Sequence, residues 1–342
     1  MQPSGALHIG NYLGALKNFV KLQETYQSYF MVADEHSLTE GLPPMVLREQ
    51  TLDLAASYLA VGLDPQKSTI FLQSLVPEHA ELAWILSTLT PIGELERMTQ
   101  YKDKAARQKG NVNAGLFSYP VLQAADILLY KPPVVPIGED QAQHLELTRT
   151  IARRFNSRYG ETFPEPKPVY TPAPRVMSLS DPLKKMSKSV PQSCLYLTDS
   201  PEVIKQKLAY AVTDSMGSDK HLLIHTELLS KDNLETFEEK TDSRTMSPGV
   251  ANLFLLLREF SEPKTVQSFE TSYVKGNIRY SELKTTLARD IAKALAPFQK
   301  KYTDLKREPK KLTAVLKAGS KQARVVAAKT LKEVRKKIGL LE

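Results

Sequence analysis

The sequence predicts an α/β fold, a parallel sheet covered by helices and carrying an inserted segment, followed by an all-helical C-terminal region. Three observations carry that reading. Short apolar runs, Tyr29 to Ala33 and Ser68 to Ser74, alternate with stretches of helical periodicity, the pattern of strands joined by crossover helices. From about residue 98 to 172 the alternation gives way to a polar stretch and a proline-rich return, which reads as an insertion. After about residue 200 only helical periodicity remains. The expected division is residues 1–200 for the sheet domain and 201–342 for the helical region.

Each element follows in order. Leu13, Leu16, Phe19 and Val20 lie at helical spacing behind the turn Gln2-Pro3-Ser4-Gly5, so a phosphate-facing loop and a helix to about residue 26 are expected. Tyr29 to Ala33 reads as a buried strand ending on Asp34, Glu35 and His36. A helix follows from Pro44 to Val61, stopped by Gly62 and Asp64-Pro65. Ser68 to Ser74 is a second strand, and the next helix starts near Pro77 and contains the sole tryptophan, Trp84. Ligands of such sheets sit beyond the carboxyl ends of the strands, which groups Asp34, His36 and the loop after Ser74. Within the insertion, Lys102, Lys104, Arg107 and Lys109 form a polar stretch without clear period. A helix from Tyr119 to Tyr130, a strand from Val134 to Ile137 and a helix from Gly138 to about Phe155 follow. Pro164, Pro166, Pro168, Pro172 and Pro174 mark a loop-rich return. The helical region divides into helices near 201–213, 247–260, 281–303, 309–318 and 320–338.

Composition narrows the class. The chain has 342 residues, 42% hydrophobic and 25% charged, as expected of an ordinary globular protein. No apolar run reaches the length of a membrane span, so no membrane partner is expected. One cysteine, Cys194, excludes an internal disulfide and points to a reducing compartment. Six histidines and one cysteine leave no spaced zinc cluster, and no metal ligands are expected. Gln2-Pro3-Ser4-Gly5 has neither the basic nor the apolar region of a secretory signal, so the expected location is the cytoplasm, or a mitochondrial or plastid matrix after removal of a transit segment. The net charge of +8 is unevenly placed: residues 300–342 hold 14 Lys and Arg against 4 Asp and Glu. Such a block suits a phosphate-rich partner such as RNA, with a solvated helix face as the alternative.

Two short segments carry the chemistry. His8-Ile9-Gly10-Asn11 lies at an expected helix start, where free N–H groups and the helix dipole favour anions, and Gly10 allows a base or ribose to come close. Lys185-Met186-Ser187-Lys188-Ser189 places two ammonium groups on flexible stems, suited to the growing charge of a pyrophosphate leaving group. Either alone is weak. In this order, one nucleotide-binding fold apart, they resemble the paired ATP signatures of class I aminoacyl-tRNA synthetases. A third signal lies in YPVLQAADILLY, where Tyr119, Gln123, Asp126 and Tyr130 share a helical face. Asp126 sits among apolar neighbours and must find a partner or neutralise. An indole N–H only donates, so a buried carboxylate is a fitting reader of tryptophan; a capped or salt-bridged carboxylate is the other reading.

Together with STIFLQSLVPEHAEL, GELERMTQYKDK, VPIGEDQAQHLEL, MSLSDPLKKMSKS, AVTDS and PGVANL, these segments make the chain resemble the bacterial and organellar tryptophanyl-tRNA synthetases over most of its length. The resemblance implies a Rossmann-like catalytic domain, ATP and Mg²⁺, L-tryptophan and tRNA(Trp) as partners, a helical anticodon-binding region and a homodimer. It places Gln2, His8, Gly10, Asn11, Lys104, Gly138, Asp140, Lys185, Met186, Ser187 and Lys188 around ATP, with His8, Asn11, Lys185 and Lys188 in the chemistry. Asp126 would bind the indole nitrogen, Tyr119 and Gln141 the ammonium group, and Val135 and Ile137 would wall the pocket, with Gln123 and His36 beside it. Gln123 stands where many bacterial relatives carry Met, and Val190 where an acidic residue usually follows the lysine motif. Family members also have a strand and a Ser-Gly step before the position of Gln2, so the first strand is expected to be missing and the start truncated or misassigned. The rival expectations are a tyrosine-specific relative, or an RNA-binding relative impaired in catalysis.

Overall fold

The computed structural model describes residues 1–102, 112–170, 174–213 and 246–341. Its main elements are β1 (Tyr29–Val32), α1 (Pro44–Val61), β2 (Thr69–Leu72), α2 (Glu78–Ser87), α3 (Ala114–Leu128), β3 (Val134–Ile137), α4 (Ala142–Tyr159), β4 (Lys167–Tyr170), α5 (Pro201–Ala209), α6 (Pro248–Phe260), α7 (Pro263–Val274), α8 (Tyr280–Lys306) and α9 (Pro309–Ile338). They form two compact units, one of residues 1–5, 19–171 and 305–342, the other of residues 6–18 and 172–304.

The first unit is α/β. β1 pairs in parallel with β2 in the register Tyr29↔Thr69 to Val32↔Leu72, and β3 pairs in parallel with β4 from Val134↔Lys167 to Ile137↔Tyr170. The expected parallel sheet is thus present among the described residues as two strand pairs. On the edge of β1 away from β2, one rung comes from Met1, whose carbonyl accepts from Ala33 N at 2.9 Å and whose amino nitrogen donates to Met31 O at 2.6 Å. α1 begins on Pro44 and stops at Gly62, which takes a left-handed φ of 112° closed to other residues at low cost. α3 starts earlier than the sequence suggests. Asn113 caps it by accepting from Leu116 N at 2.9 Å, and Pro120, which reads as a first-turn proline, lies inside the helix.

The core of this unit joins Phe71, Leu82 and Leu86 to Val121, Ala124 and Leu128 of α3, Ile151 and Phe155 of α4, and Ala323, Ala327 and Val334 of α9. α9 corrects the expected division, because residues 305–342 belong to the α/β unit rather than to a helical domain starting at 201. It is one helix, not two. A side chain at position 319 would meet Ile70 O at 1.9 Å, so Gly319 allows contact between helix and strand backbones. Ser320 Oγ then accepts from Leu72 N at 3.1 Å, covering the edge of β2 that β1 leaves open. Part of the tail's charge is paired: Arg324 with Glu78 at 2.9 Å, Arg335 with Glu81 at 2.5 Å, and Lys306 with Asp53 at 2.7 Å. Lys310, Lys317, Lys321, Lys329 and Lys336 stay exposed.

The second unit is helical around a short extended segment. Leu7 and His8 run antiparallel to Tyr196, with Ile9 N donating to Leu195 O at 2.8 Å and Leu197 N to Leu7 O at 2.9 Å. The helical stretch after His8 is an α turn (Ile9–Asn11), a π segment (Tyr12–Leu16) and an α segment (Lys17–Leu22). α7, which buries no residue fully, was not expected from the sequence, since a half-covered helix shows no clean apolar period. Among the described residues, no helix is long and apolar enough to cross a membrane.

Candidate active site

In the second unit the two ATP signatures meet. His8 N donates to Asn11 Oδ1 at 3.1 Å, and the imidazole folds over Gly10, where a Cβ would come within 2.9 Å of the ring. Gly10 is therefore required by His8 itself. His8 is 6% exposed. Burial, reinforced by the charges of Lys188 and Lys185, pushes its pKa down to about 4, so the ring is neutral at pH 7 and the lysines supply the positive charge.

The lysine segment is an anchored turn. Met177 and Lys185 form an antiparallel bridge, and Met186 N donates to Val176 O at 3.0 Å with its side chain buried. Lys185 and Ser187 are exposed and Lys188 is half-buried. Ser187 Oγ lies 2.9 Å from Ser189 Oγ. Lys184 is the solvated neighbour, paired with Asp181 at 2.7 Å. Asn252 of α6, not singled out from sequence, holds both sides of Met177: its Oδ1 accepts from Met177 N at 2.9 Å and its Nδ2 donates to Met177 O at 3.0 Å. The only signal for it was the PGVANL segment.

In the first unit Asp126 anchors a buried polar cluster. Its Oδ1 accepts from Gln73 Nε2 at 2.8 Å and His79 Nδ1 at 2.6 Å, and its Oδ2 from His36 Nε2 at 2.7 Å. Burial alone would raise the carboxyl; the facing imidazoles of His36 and His79 outweigh it and hold Asp126 well below the usual carboxylate range. Gln73 directs its amide nitrogen at this charge although its own buried oxygen has no partner among the described residues, at a cost of about 1–3 kcal/mol. His36 meets the ring of Tyr119 edge-on at 6.3 Å, and Tyr119 O–H, pushed up to about 12 by burial, is hydrogen-bonded to His144 Nε2 at 2.8 Å.

Gln123 Nε2 donates to Gln141 Oε1 at 3.3 Å, and Gln141 Nε2 to Asp140 Oδ2 at 3.0 Å, so the three side chains form one hydrogen-bonded chain. A Cβ at Gly138 would lie 2.7 Å from Asp140 Oδ1 and displace that exposed carboxylate. Val135 and Ile137 both lie on β3. Gln2 donates to Glu40 at 2.7 Å. Lys104 lies outside the described residues. Sequence reasoning missed Gln73, His79 and His144, because a polar residue at a helix start or on a short turn carries no pattern of its own. His79 does lie in the PEHAEL segment that carried the resemblance.

The family model for class I tRNA synthetases of the W and Y type matches residues 1–296. The chain belongs to this family. A tryptophan–tRNA ligase of Caldanaerobacter subterraneus subsp. tengcongensis is 45% identical over 344 residues, spanning 100% of the chain and 97% of the relative. One of Listeria monocytogenes is 46% identical over 346 residues, spanning 99% and 96%. The crystal structure of tryptophanyl-tRNA synthetase from Campylobacter jejuni complexed with ADP and tryptophan is similar at a TM-score of 0.82 and 36% identity, covering 99% of the chain and 98% of its own. The HIGN and KMSKS segments of this member lie within a single unit.

His8 makes the stability of this synthetase pH-dependent. The folded protein resists a proton that the unfolded chain accepts below pH 6.5, so stability falls as pH drops from 6.5 towards about 4 and is unaffected above pH 7. The contribution is about 3 kcal/mol. In denaturant titrations, the stability gap between wild type and His8→Gln is expected to shrink by about that amount over this window. A constant gap would show that His8 binds its proton equally well in both states.

Proposed function

We propose that this protein is a tryptophan–tRNA ligase: it activates L-tryptophan with ATP to tryptophanyl-adenylate and transfers the tryptophanyl group to tRNA(Trp). The observation that carries the amino-acid assignment is the ionised Asp126, whose Oδ2 keeps one acceptor position in a cluster otherwise filled by donors. An indole N–H supplies the missing donor. A tyrosine hydroxyl would donate there as well, so the choice of tryptophan over the tyrosine-specific and catalytically silent readings is supported by the relatives at about 45% identity that bear a tryptophan–tRNA ligase name.

In the first step a carboxylate oxygen of tryptophan attacks the α-phosphorus of ATP, the bond to the β-phosphate bridging oxygen breaks, and pyrophosphate leaves. No protein nucleophile is needed. Lys185 and Lys188 stabilise the charge growing on the leaving group, with the His8–Asn11 turn beside them offering neutral polar groups. Tyr119 and Gln141 are assigned to the ammonium group, His36 and Gln123 to the rim, and Val135 and Ile137 to the indole faces. Gln2, Gly138 and Asp140 are assigned to ATP. Mg²⁺ would share the phosphate charge; the lysines, imidazole and amide of the second unit bind anions, so the cation would be carried by the nucleotide's own phosphates. In the second step the ester forms on the terminal adenosine of the tRNA.

Helices α5 to α8 are assigned to anticodon reading, and the exposed lysines of α9 to tRNA phosphates, an attraction that weakens with salt. The family resemblance supports a homodimer, and the bacterial relatives support the cytoplasm. Charging of tRNA(Trp) with labelled tryptophan tests the assignment. Tryptophanyl-tRNA should accumulate in the presence of ATP; tyrosyl-tRNA, or no charging at all, would refute it.

A further inference from the structure

The two oxygens of Asp126 are not equivalent. Among the described residues, Oδ1 accepts from Gln73 and His79, while Oδ2 accepts from His36 alone. A carboxylate oxygen has two in-plane lone-pair directions, so Oδ1 is filled and Oδ2 is the one left for a substrate. Gln73 and His79 are both fully buried. His79 is also tied at Nε2 to Tyr130 Oη at 2.9 Å. Bonded at both ring nitrogens, the His79 imidazole is fixed in orientation and its Nδ1 stays aimed at Asp126.

The residues adjacent to these two donors are held by the same helix. Leu72, just before Gln73, donates its N–H to Ser320 Oγ at 3.1 Å, and Ser320 Oγ lies 3.4 Å from Leu72 O. Glu78, just before His79, accepts from Arg324 Nε at 2.9 Å, and its side chain is only 10% exposed. Ser320 and Arg324 are one helical turn apart on α9, on either side of the Ala323 that enters the core. Gly319 brings this turn against the β2 backbone.

We propose that Gln73 and His79 are positioning residues for the indole acceptor Asp126, and that α9 holds both in place through Ser320 and Arg324. The C-terminal helix thereby contributes to selectivity for the indole N–H without touching the substrate. The proposal rests on tryptophan being the amino acid activated. Locking Oδ1 fixes the carboxylate plane, so that Oδ2 presents its remaining lone pair in one direction.

The test is ATP–pyrophosphate exchange by the full chain with L-tryptophan and with β-(3-benzothienyl)alanine, in which sulfur replaces the indole N–H. The readout is the ratio of their kcat/KM values, which loss of folded protein does not change. His79→Leu should lower the preference for tryptophan at least about tenfold, while His79→Asn, whose amide nitrogen falls near the Nδ1 position, should restore most of it. Arg324→Met and Ser320→Ala should each lower it about three- to fivefold, through a higher KM for tryptophan and with the KM for ATP within about twofold. If His79→Leu does not fold, Arg324→Met carries the test from a side chain that is 57% exposed. An unchanged ratio in Arg324→Met and Ser320→Ala would overturn the proposal, and equal losses for both amino acids would do the same. A wild-type enzyme inactive with tryptophan would instead overturn the substrate assignment on which it rests.

Discussion

Asp126→Asn should lower kcat/KM for tryptophan about 10²- to 10³-fold in ATP–pyrophosphate exchange, with the KM for ATP changed less than about threefold. The substitution keeps size and shape. What it changes is that one acceptor oxygen becomes an NH₂ donor inside a cluster of donors, namely His36, His79 and Gln73. If the amide nitrogen takes the Oδ1 place, it meets Gln73 and His79; in the Oδ2 place, it meets His36 and the indole N–H. A hydrogen bond to a charged group contributes about 1.5–3 kcal/mol, and an opposed buried donor adds its own penalty, which together give the range stated. Asp126→Ala should be worse for stability, because it leaves two buried donors, Gln73 and His79, and the half-buried His36 without their acceptor. A change of less than threefold in Asp126→Asn would mean that the indole is read elsewhere.

Lys188→Ala should lower kcat for exchange about 10²- to 10³-fold while leaving the KM for tryptophan nearly unchanged. The ammonium group is useful only as negative charge moves onto the departing pyrophosphate, so its removal acts on the transition state more than on the bound amino acid. Lys188→Arg should recover only part of the rate, since a planar guanidinium presents its donors in a different geometry. The same substitution has an independent signature. Lys188 is one of the charges that depress His8, so Lys188→Ala should move the His8 pKa up from about 4, as read by NMR titration of the ring. An unaltered kcat would remove Lys188 from the chemistry. An unaltered His8 pKa would remove the electrostatic link between the two signatures.

Much of the fold and of the site was legible in the sequence where local rules and local patterns coincide. Pro44 and Gly62 bracket α1 at its observed ends, and Val134 to Ile137 forms the strand its β-branched residues suggest. β4 escaped because Lys167–Tyr170 contains Pro168, has exposed ends and only a half-buried middle, and so lacks an apolar signal. The split expected within the last helix, between 318 and 320, falls at Gly319, beside Ser320. These residues are small because β2, some 250 positions earlier, lies against them, and no local pattern reports a contact at that distance. For the same reason the basic tail reads as one helical domain with residues 201–304, although its small residues pack into the α/β core. His8, Lys185, Lys188 and Asp126 stood out because their chemistry is unusual for their surroundings. Gln73, His79 and Asn252 did not, because their importance lies in what they hold.

The most direct test of the whole account is ATP–pyrophosphate exchange measured with each of the twenty amino acids in turn, in wild type and Asp126→Asn. Tryptophan alone should support rapid exchange in the wild type, and Asp126→Asn should lose most of it. Exchange supported by tyrosine, or by tryptophan equally well in both proteins, would contradict the assignment of Asp126 as the reader of the indole.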